Sequence, residues 1–125
     1  MEVSRVLVAD NSLFLRTMIK SQLEKLNFRV VATAKDSQEC LSKSAESRPD
    51  ITLIDIGIAE ENDFSVLRAI LEKMPSSNVI VMLPDHPGFP EMVVNAVRAG
   101  ASGFLKKPIS PTDLCQRVLN YTPKP

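Results

Sequence analysis

Val6-Leu7-Val8-Ala9-Asp10 is a short, continuous apolar run that stops at an acid. Four apolar residues without alternation suit a strand buried on both faces, as in a parallel sheet. Working outward, Leu15, Ile19, Leu23 and Leu26 recur at helical spacing. Asn27 can end that helix, because asparagine tolerates the left-handed conformation. Val30-Val31-Ala32 reads as a second strand. Asp36, three residues before Glu39, resembles a capping box opening a helix to about Ser47, which Pro49 stops.

The same unit then recurs. Ile51-Thr52-Leu53-Ile54 is a third strand and ends at Asp55. Glu60-Glu61-Asn62-Asp63 reads as a loop. Phe64, Leu67, Ile70, Leu71 and Met74 form the next helical stripe, ended by Pro75. Val79-Ile80-Val81-Met82-Leu83 is the fourth strand. Pro84, Pro87, Gly88 and Pro90 predict a stiff, non-helical loop. Val93, Ala96 and Val97 give a helix ending at Gly100, and Ser102-Gly103-Phe104-Leu105 a fifth strand. Ser110-Pro111-Thr112-Asp113 opens the last helix with a cap, a proline and an acid, and Leu114, Val118 and Tyr121 form its buried side.

Strict alternation of strand and helix predicts an α/β domain: an open, doubly wound parallel sheet with helices on both faces. One domain is expected over residues 1–121. Residues 122–125, Thr122-Pro123-Lys124-Pro125, read as a tail or the start of a linker.

Composition narrows the partners. The chain has 125 residues, and 15 Lys and Arg balance 15 Asp and Glu. A neutral chain is not a blunt polyanion binder, so no direct nucleic-acid or membrane contact is expected. No apolar run approaches the roughly 18 residues of a membrane span, and Met1 to Asp10 lacks a signal-peptide layout. A cytoplasmic protein is expected. Cys40 and Cys115 make no CxxC pair and read as free thiols in a reducing compartment. With His86 the sole histidine, expected at the surface, no transition-metal site is expected.

In open parallel sheets, ligands bind beyond the carboxyl ends of the strands, at the switch point in strand order. Those ends carry Asp10-Asn11, Asp55, Leu83-Pro84 and Lys106-Lys107-Pro108. In the flavodoxin-like order 2-1-3-4-5, Asp10 and Asp55 become neighbours and a lysine arrives from strand five. Two adjacent carboxylates repel unless a cation intervenes. A lysine supplies one cation, and Mg²⁺, which prefers oxygen ligands, suits the rest. A carboxylate among cations can act as nucleophile toward a phosphoryl group. The plain alternative is that Asp10 and Asn11 cap the first helix and Asp55 is a turn residue.

Val6-Leu7-Val8-Ala9-Asp10-Asn11, Asp55 at a strand end, Ala99-Gly100-Ala101-Ser102-Gly103-Phe104 and Lys107-Pro108 together resemble the receiver domain of two-component response regulators. The similarity runs from about Arg5 to Tyr121. It implies a five-stranded (βα)₅ domain that signals rather than catalyses, taking a phosphoryl group from a histidine kinase or phosphotransfer protein onto Asp55. It further implies Mg²⁺ held by Asp10, Asn11, Asp55 and the backbone carbonyl of Gly57. Lys107 would contact the phosphoryl group. Leu83 and Phe104 would occupy the switch positions, and the bond before Pro108 would be cis. The implied partners are an output domain or effector protein. A homodimer is possible through the face of the fourth helix, strand five and the fifth helix, which would expose Arg98, Lys106 and Arg117.

The chain departs from that pattern in ways that bear on function. Asn11 replaces the usual second acid, which keeps an oxygen ligand but weakens Mg²⁺ binding. Leu83 stands where the family has Thr or Ser, so no hydroxyl couples a phosphoryl group to Phe104. Ala59 replaces a proline, and Asp63-Phe64 fall where a glycine is usual. The loop after strand four is about two residues long for the family. The alternative function is therefore a degenerate receiver, a phosphorylation-independent protein-interaction module. A phosphohydrolase would favour Asp-x-Asp, but Ile56-Gly57 follows Asp55. A flavodoxin would need a Gly- or Ser/Thr-rich phosphate loop where Asn11-Ser12-Leu13-Phe14 stands.

Overall fold

The computed structural model describes residues 4–121. The strands are β1 (Arg5–Ala9), β2 (Arg29–Ala34), β3 (Ile51–Asp55), β4 (Asn78–Leu83) and β5 (Gly103–Lys106). They form one sheet in the order β2-β1-β3-β4-β5, and every pairing is parallel. The helices are α1 (Leu13–Lys25), α2 (Ser37–Ser47), α3 (Ile56–Ala59), α4 (Glu61–Lys73), α5 (Phe89–Arg98) and α6 (Pro111–Asn120). The doubly wound parallel sheet is the one expected from the alternation of elements, and its strand order is the expected flavodoxin-like one. The tail at 122–125 lies outside the described residues.

Side chains alternate across a strand, so each continuous apolar run feeds two cores. Val6, Val8, Ile51, Leu53, Ile80 and Met82 pack against Ile19 and Leu23 of α1 and Leu114 and Val118 of α6. Leu7, Ala9, Ile54, Val79, Val81 and Leu83 pack on the other face, against α2, α3, α4 and α5. Burial on both faces is why these strands read as unbroken apolar runs.

Local signals set the helix ends. Asp36 caps α2 by accepting from the Glu39 N–H, and the Glu39 carboxylate accepts from the Lys35 N–H. Ser110 caps α6 by accepting from the Asp113 N–H. Asn27 adopts φ 67° after α1, as its residue type suggested. Tyr121 is half-buried, and its hydroxyl donates to the Ser102 carbonyl.

Two local expectations are corrected. Pro90 belongs to the first turn of α5, where a proline's missing N–H costs nothing, and not to the preceding loop. The segment after Asp55 is not all loop: the four-residue α3 forms first, and the irregular stretch expected at Glu60 to Asp63 contracts to a non-helical turn at the start of α4, which begins at Glu61. Its start is kinked, because Asn62, Asp63 and Phe64 have φ of 49°, 55° and 60°. The fourth and fifth helices of the sequence reading are thus α5 and α6.

Candidate functional site

The carboxyl ends of β1, β3 and β5 converge on one ammonium group. Lys107 Nζ donates to Asp10 Oδ2 at 2.8 Å and to Asp55 Oδ1 at 2.7 Å. The second oxygens are also engaged. Asp10 Oδ1 accepts from the Ser12 N–H at 2.9 Å, and Asp55 Oδ2 from the Gly57 N–H at 3.0 Å. The Asp10 side chain is 1% exposed and that of Asp55 16%. Burial pulls the Lys107 pKa down, and the hydrogen bonds and charges of the two carboxylates more than reverse it, so the net shift is upward. The lysine is held as a cation between two anions.

Backbone contacts aim these groups. The Asp10 N–H donates to Ala34, extending the β1–β2 edge by one residue. The Lys107 N–H donates to the Leu83 carbonyl at 2.7 Å, which fixes the lysine just past β5, and its bond to Pro108 is cis. Gly57 opens α3 beside Asp55. A Cβ there would lie 2.9 Å from Asp55 Oδ2, closer than such atoms approach, so glycine keeps that oxygen unobstructed.

Not every expected residue joins the cluster. Asn11 is exposed beside Asp10 and hydrogen-bonds none of the three. The capping alternative does not describe the loop either, because Ser12 is the cap of α1 and accepts from the Leu15 N–H. Arg16, which the sequence reading passed over, donates from Nη1 to the Asp10 carbonyl at 2.6 Å. Its signal was only its place in the first turn of a helix that starts at the site. Lys106 points away from the cluster and pairs with exposed Asp85 at 3.2 Å.

A profile of the response regulator receiver domain matches residues 6–119. The chain belongs to this family. It is 38% identical to the chemotaxis protein CheY of Listeria monocytogenes over 104 residues, 83% of this chain and 86% of that protein. It is 33% identical to the CheY of Thermotoga maritima over 114 residues, 91% and 93% of the two chains. Its fold is similar to the signal receiver domain of NarL from Mycobacterium tuberculosis, with a TM-score of 0.84, 26% identity and 96% of each chain covered.

Leu83 and Phe104, the expected switch positions, are both held by packing. Leu83 is fully buried and packs in the core under α2 to α5. Phe104 is half-buried and braced from two sides. Phe89 meets it edge-on, with centroids 5.5 Å apart and planes at 76°. The Arg117 guanidinium lies 5.4 Å from its centroid. Lys106 Nζ sits 5.3 Å from the Phe89 centroid, which completes a ladder of cations and rings along β5, α5 and α6. Arg98 and Lys106 are exposed on this face, and Arg117 is half-buried against the ring. Val94 and Val97 of α5 are exposed as well.

The donors near Asp10 and Asp55 fit a hard cation. Every candidate is an oxygen: two carboxylates, the Asn11 amide and the Gly57 carbonyl. Among the described residues no three His, Cys, Asp or Glu side chains gather anywhere, so a cation here relies on amide, carbonyl and water oxygens beside the two acids. Among the described residues no helix is long and apolar enough to cross a membrane.

Proposed function

We propose that this receiver domain accepts a phosphoryl group on Asp55 from a histidine kinase or phosphotransfer protein and passes the change to a protein partner. The observation that carries the reading is the double contact of Lys107 with Asp10 and Asp55. Three residues far apart in sequence meet at one partly open point, where a single ammonium offsets one of two carboxylate charges.

The chemistry follows from the charges. An Asp55 carboxylate oxygen forms the new bond to phosphorus, and the bond from phosphorus to the donor's leaving atom breaks. The incoming group is anionic and meets a carboxylate, so positive charge must be in place beforehand. Lys107 supplies part of it and can transfer its hydrogen bond from Asp55 to a phosphoryl oxygen. Asp10, Asn11, Asp55 and the Gly57 carbonyl would hold Mg²⁺, which when bound supplies the remaining charge neutralisation. Asn11 in place of an acid makes that binding weak. The domain works as a cytoplasmic signalling switch and catalyses nothing beyond gaining and losing its own phosphoryl group.

The test is incubation with Mg²⁺ and a small acyl phosphate, read by intact mass. One added phosphoryl group is expected, absent in Asp55→Asn and without Mg²⁺. An unmodified chain, or equal modification of the variant, would overturn the reading.

A second reading is favoured by Leu83 and the braced Phe104. In it the face formed by α5, β5 and α6 is held in one state, and an effector or a second copy binds it whether or not Asp55 is modified. Equal partner affinity with and without modification would support that reading.

A further inference from the structure

Arg16 makes a single, short, charge-assisted contact, and it makes it with the backbone of the site. Asp10 does not need that contact for its own placement. Its carboxylate is held by the Ser12 N–H and Lys107, and its N–H by Ala34. The next peptide unit, which joins Asp10 to Asn11, is held differently. Its carbonyl is the acceptor of the Arg16 guanidinium. Because a peptide unit is planar, fixing that carbonyl fixes where the backbone of Asn11 begins. The Asn11 side chain is exposed and takes part in none of the side-chain hydrogen bonds among the described residues.

A neutral ligand depends on such help more than a charged one. An aspartate at this position would be drawn toward a cation by its own charge. An amide has only a dipole, and its contribution depends on being aimed before the cation arrives. We propose that Arg16 is a positioning residue for Asn11: it locks the Asp10–Asn11 peptide so that the Asn11 amide oxygen is presented beside Asp10 and Asp55. This role rests on the Mg²⁺-dependent reading above.

Charge and positioning predict opposite signs, which makes the role testable. A guanidinium near the site repels a divalent cation, so its loss would tighten Mg²⁺ binding if charge alone mattered. If it positions Asn11, its loss weakens binding. The experiment is calorimetric titration of the 125-residue chain with Mg²⁺ alone, without a phosphodonor. Arg16→Met keeps the aliphatic stem over the helix and removes the donor. Its dissociation constant should rise about tenfold, the low end of what losing an outer-sphere partner costs. Arg16→Gln retains a donor without the charge and should restore most of the affinity. In an Asn11→Ala background, Arg16→Met should change affinity by less than about twofold, because its target is gone. Unchanged or tighter binding in folded Arg16→Met would overturn the role. So would an equal loss in the Asn11→Ala background. Failure of the unaltered chain to bind Mg²⁺ would overturn the metal-dependent reading itself and this role with it, a result distinct from failure of the variants alone.

Discussion

Lys107 Nζ lies 2.7 Å from Asp55 Oδ1, across 52 residues of sequence. The same ammonium faces buried Asp10, so removing it leaves two carboxylates with no cation between them. Lys107→Met should therefore destabilise the fold by about 2 kcal/mol at pH 7. That is below the roughly 3–5 kcal/mol of breaking a wholly buried pair, because the Lys107 side chain is 25% exposed. Mg²⁺ should stabilise the variant more than the unaltered chain, since no ammonium competes for the same oxygens. Urea unfolding with and without Mg²⁺ measures both effects. Equal stability of the two chains without Mg²⁺ would contradict the role of Lys107 as the charge at this site.

Phe104 is clasped by Phe89 and Arg117, and Leu83 offers it no hydroxyl to follow. Binding of beryllofluoride with Mg²⁺ should shift the backbone NMR signals of Asp10, Asp55, Gly57 and Lys107. The Phe104 ring signals should stay in place. Arg117→Ala removes one side of the clasp, and in that variant the ring should respond. A large Phe104 shift in the unaltered chain would show that coupling survives without the hydroxyl.

How much of this was legible from the sequence depends on the physical range of each signal. Runs such as Val6 to Ala9 and Val79 to Leu83 announced doubly buried parallel strands, because burial on both faces removes alternation. The meeting of Asp10 and Asp55 followed from strand order, since β1 and β3 are neighbours, and Lys107 reaches them from the end of β5, beyond β4. The left-handed turn at Asn62 to Phe64 did not announce itself. Asn62 and Asp63 tolerate that conformation but are as common in ordinary loops and caps, and Phe64 ordinarily avoids it, so the run of three is not marked by residue type. Helix α3 was missed because four residues are too few for a helical period to repeat. Arg16 was missed because its contact is to a backbone carbonyl, which has no residue type to read. The clasp on Phe104 needs the packing of α5 against β5 and α6, which no local pattern encodes.

The turn at Asn62, Asp63 and Phe64 leads to a stability prediction. For an L-residue the left-handed region costs about 1–2 kcal/mol, least for asparagine and aspartate. Glycine removes that cost at residue 63 but loses more freedom on folding, so Asp63→Gly should stabilise by about 0.5–1 kcal/mol. The lost Asp63–Arg68 pair is exposed at 3.8 Å and contributes little. Thermal unfolding compares the two chains. A lower midpoint in the variant would mean that the turn is held by aspartate contacts that glycine cannot replace.

Cys40 is fully buried in α2, whereas Cys115 is half-buried on α6. Burial pushes the Cys40 thiol up to about 11 from an ordinary value near 9, partly offset by Ser44. An alkylating reagent at pH 8 should therefore label Cys115 and spare Cys40 until urea unfolds the chain. The same shift makes stability depend on pH. Because the folded value is raised, the unfolded chain ionises first as pH rises. The thiol's contribution is complete below pH 9 and is lost as pH rises through about 11, a total of about 3 kcal/mol. Lys107 acts in the same direction, since its raised pKa also means a contribution lost only as pH rises through the folded value. Cys40→Ala should accordingly lose less stability between pH 9 and 11 than the unaltered chain, while retaining the loss due to Lys107. Parallel pH curves for the two chains would show that Cys40 ionises without cost to the fold.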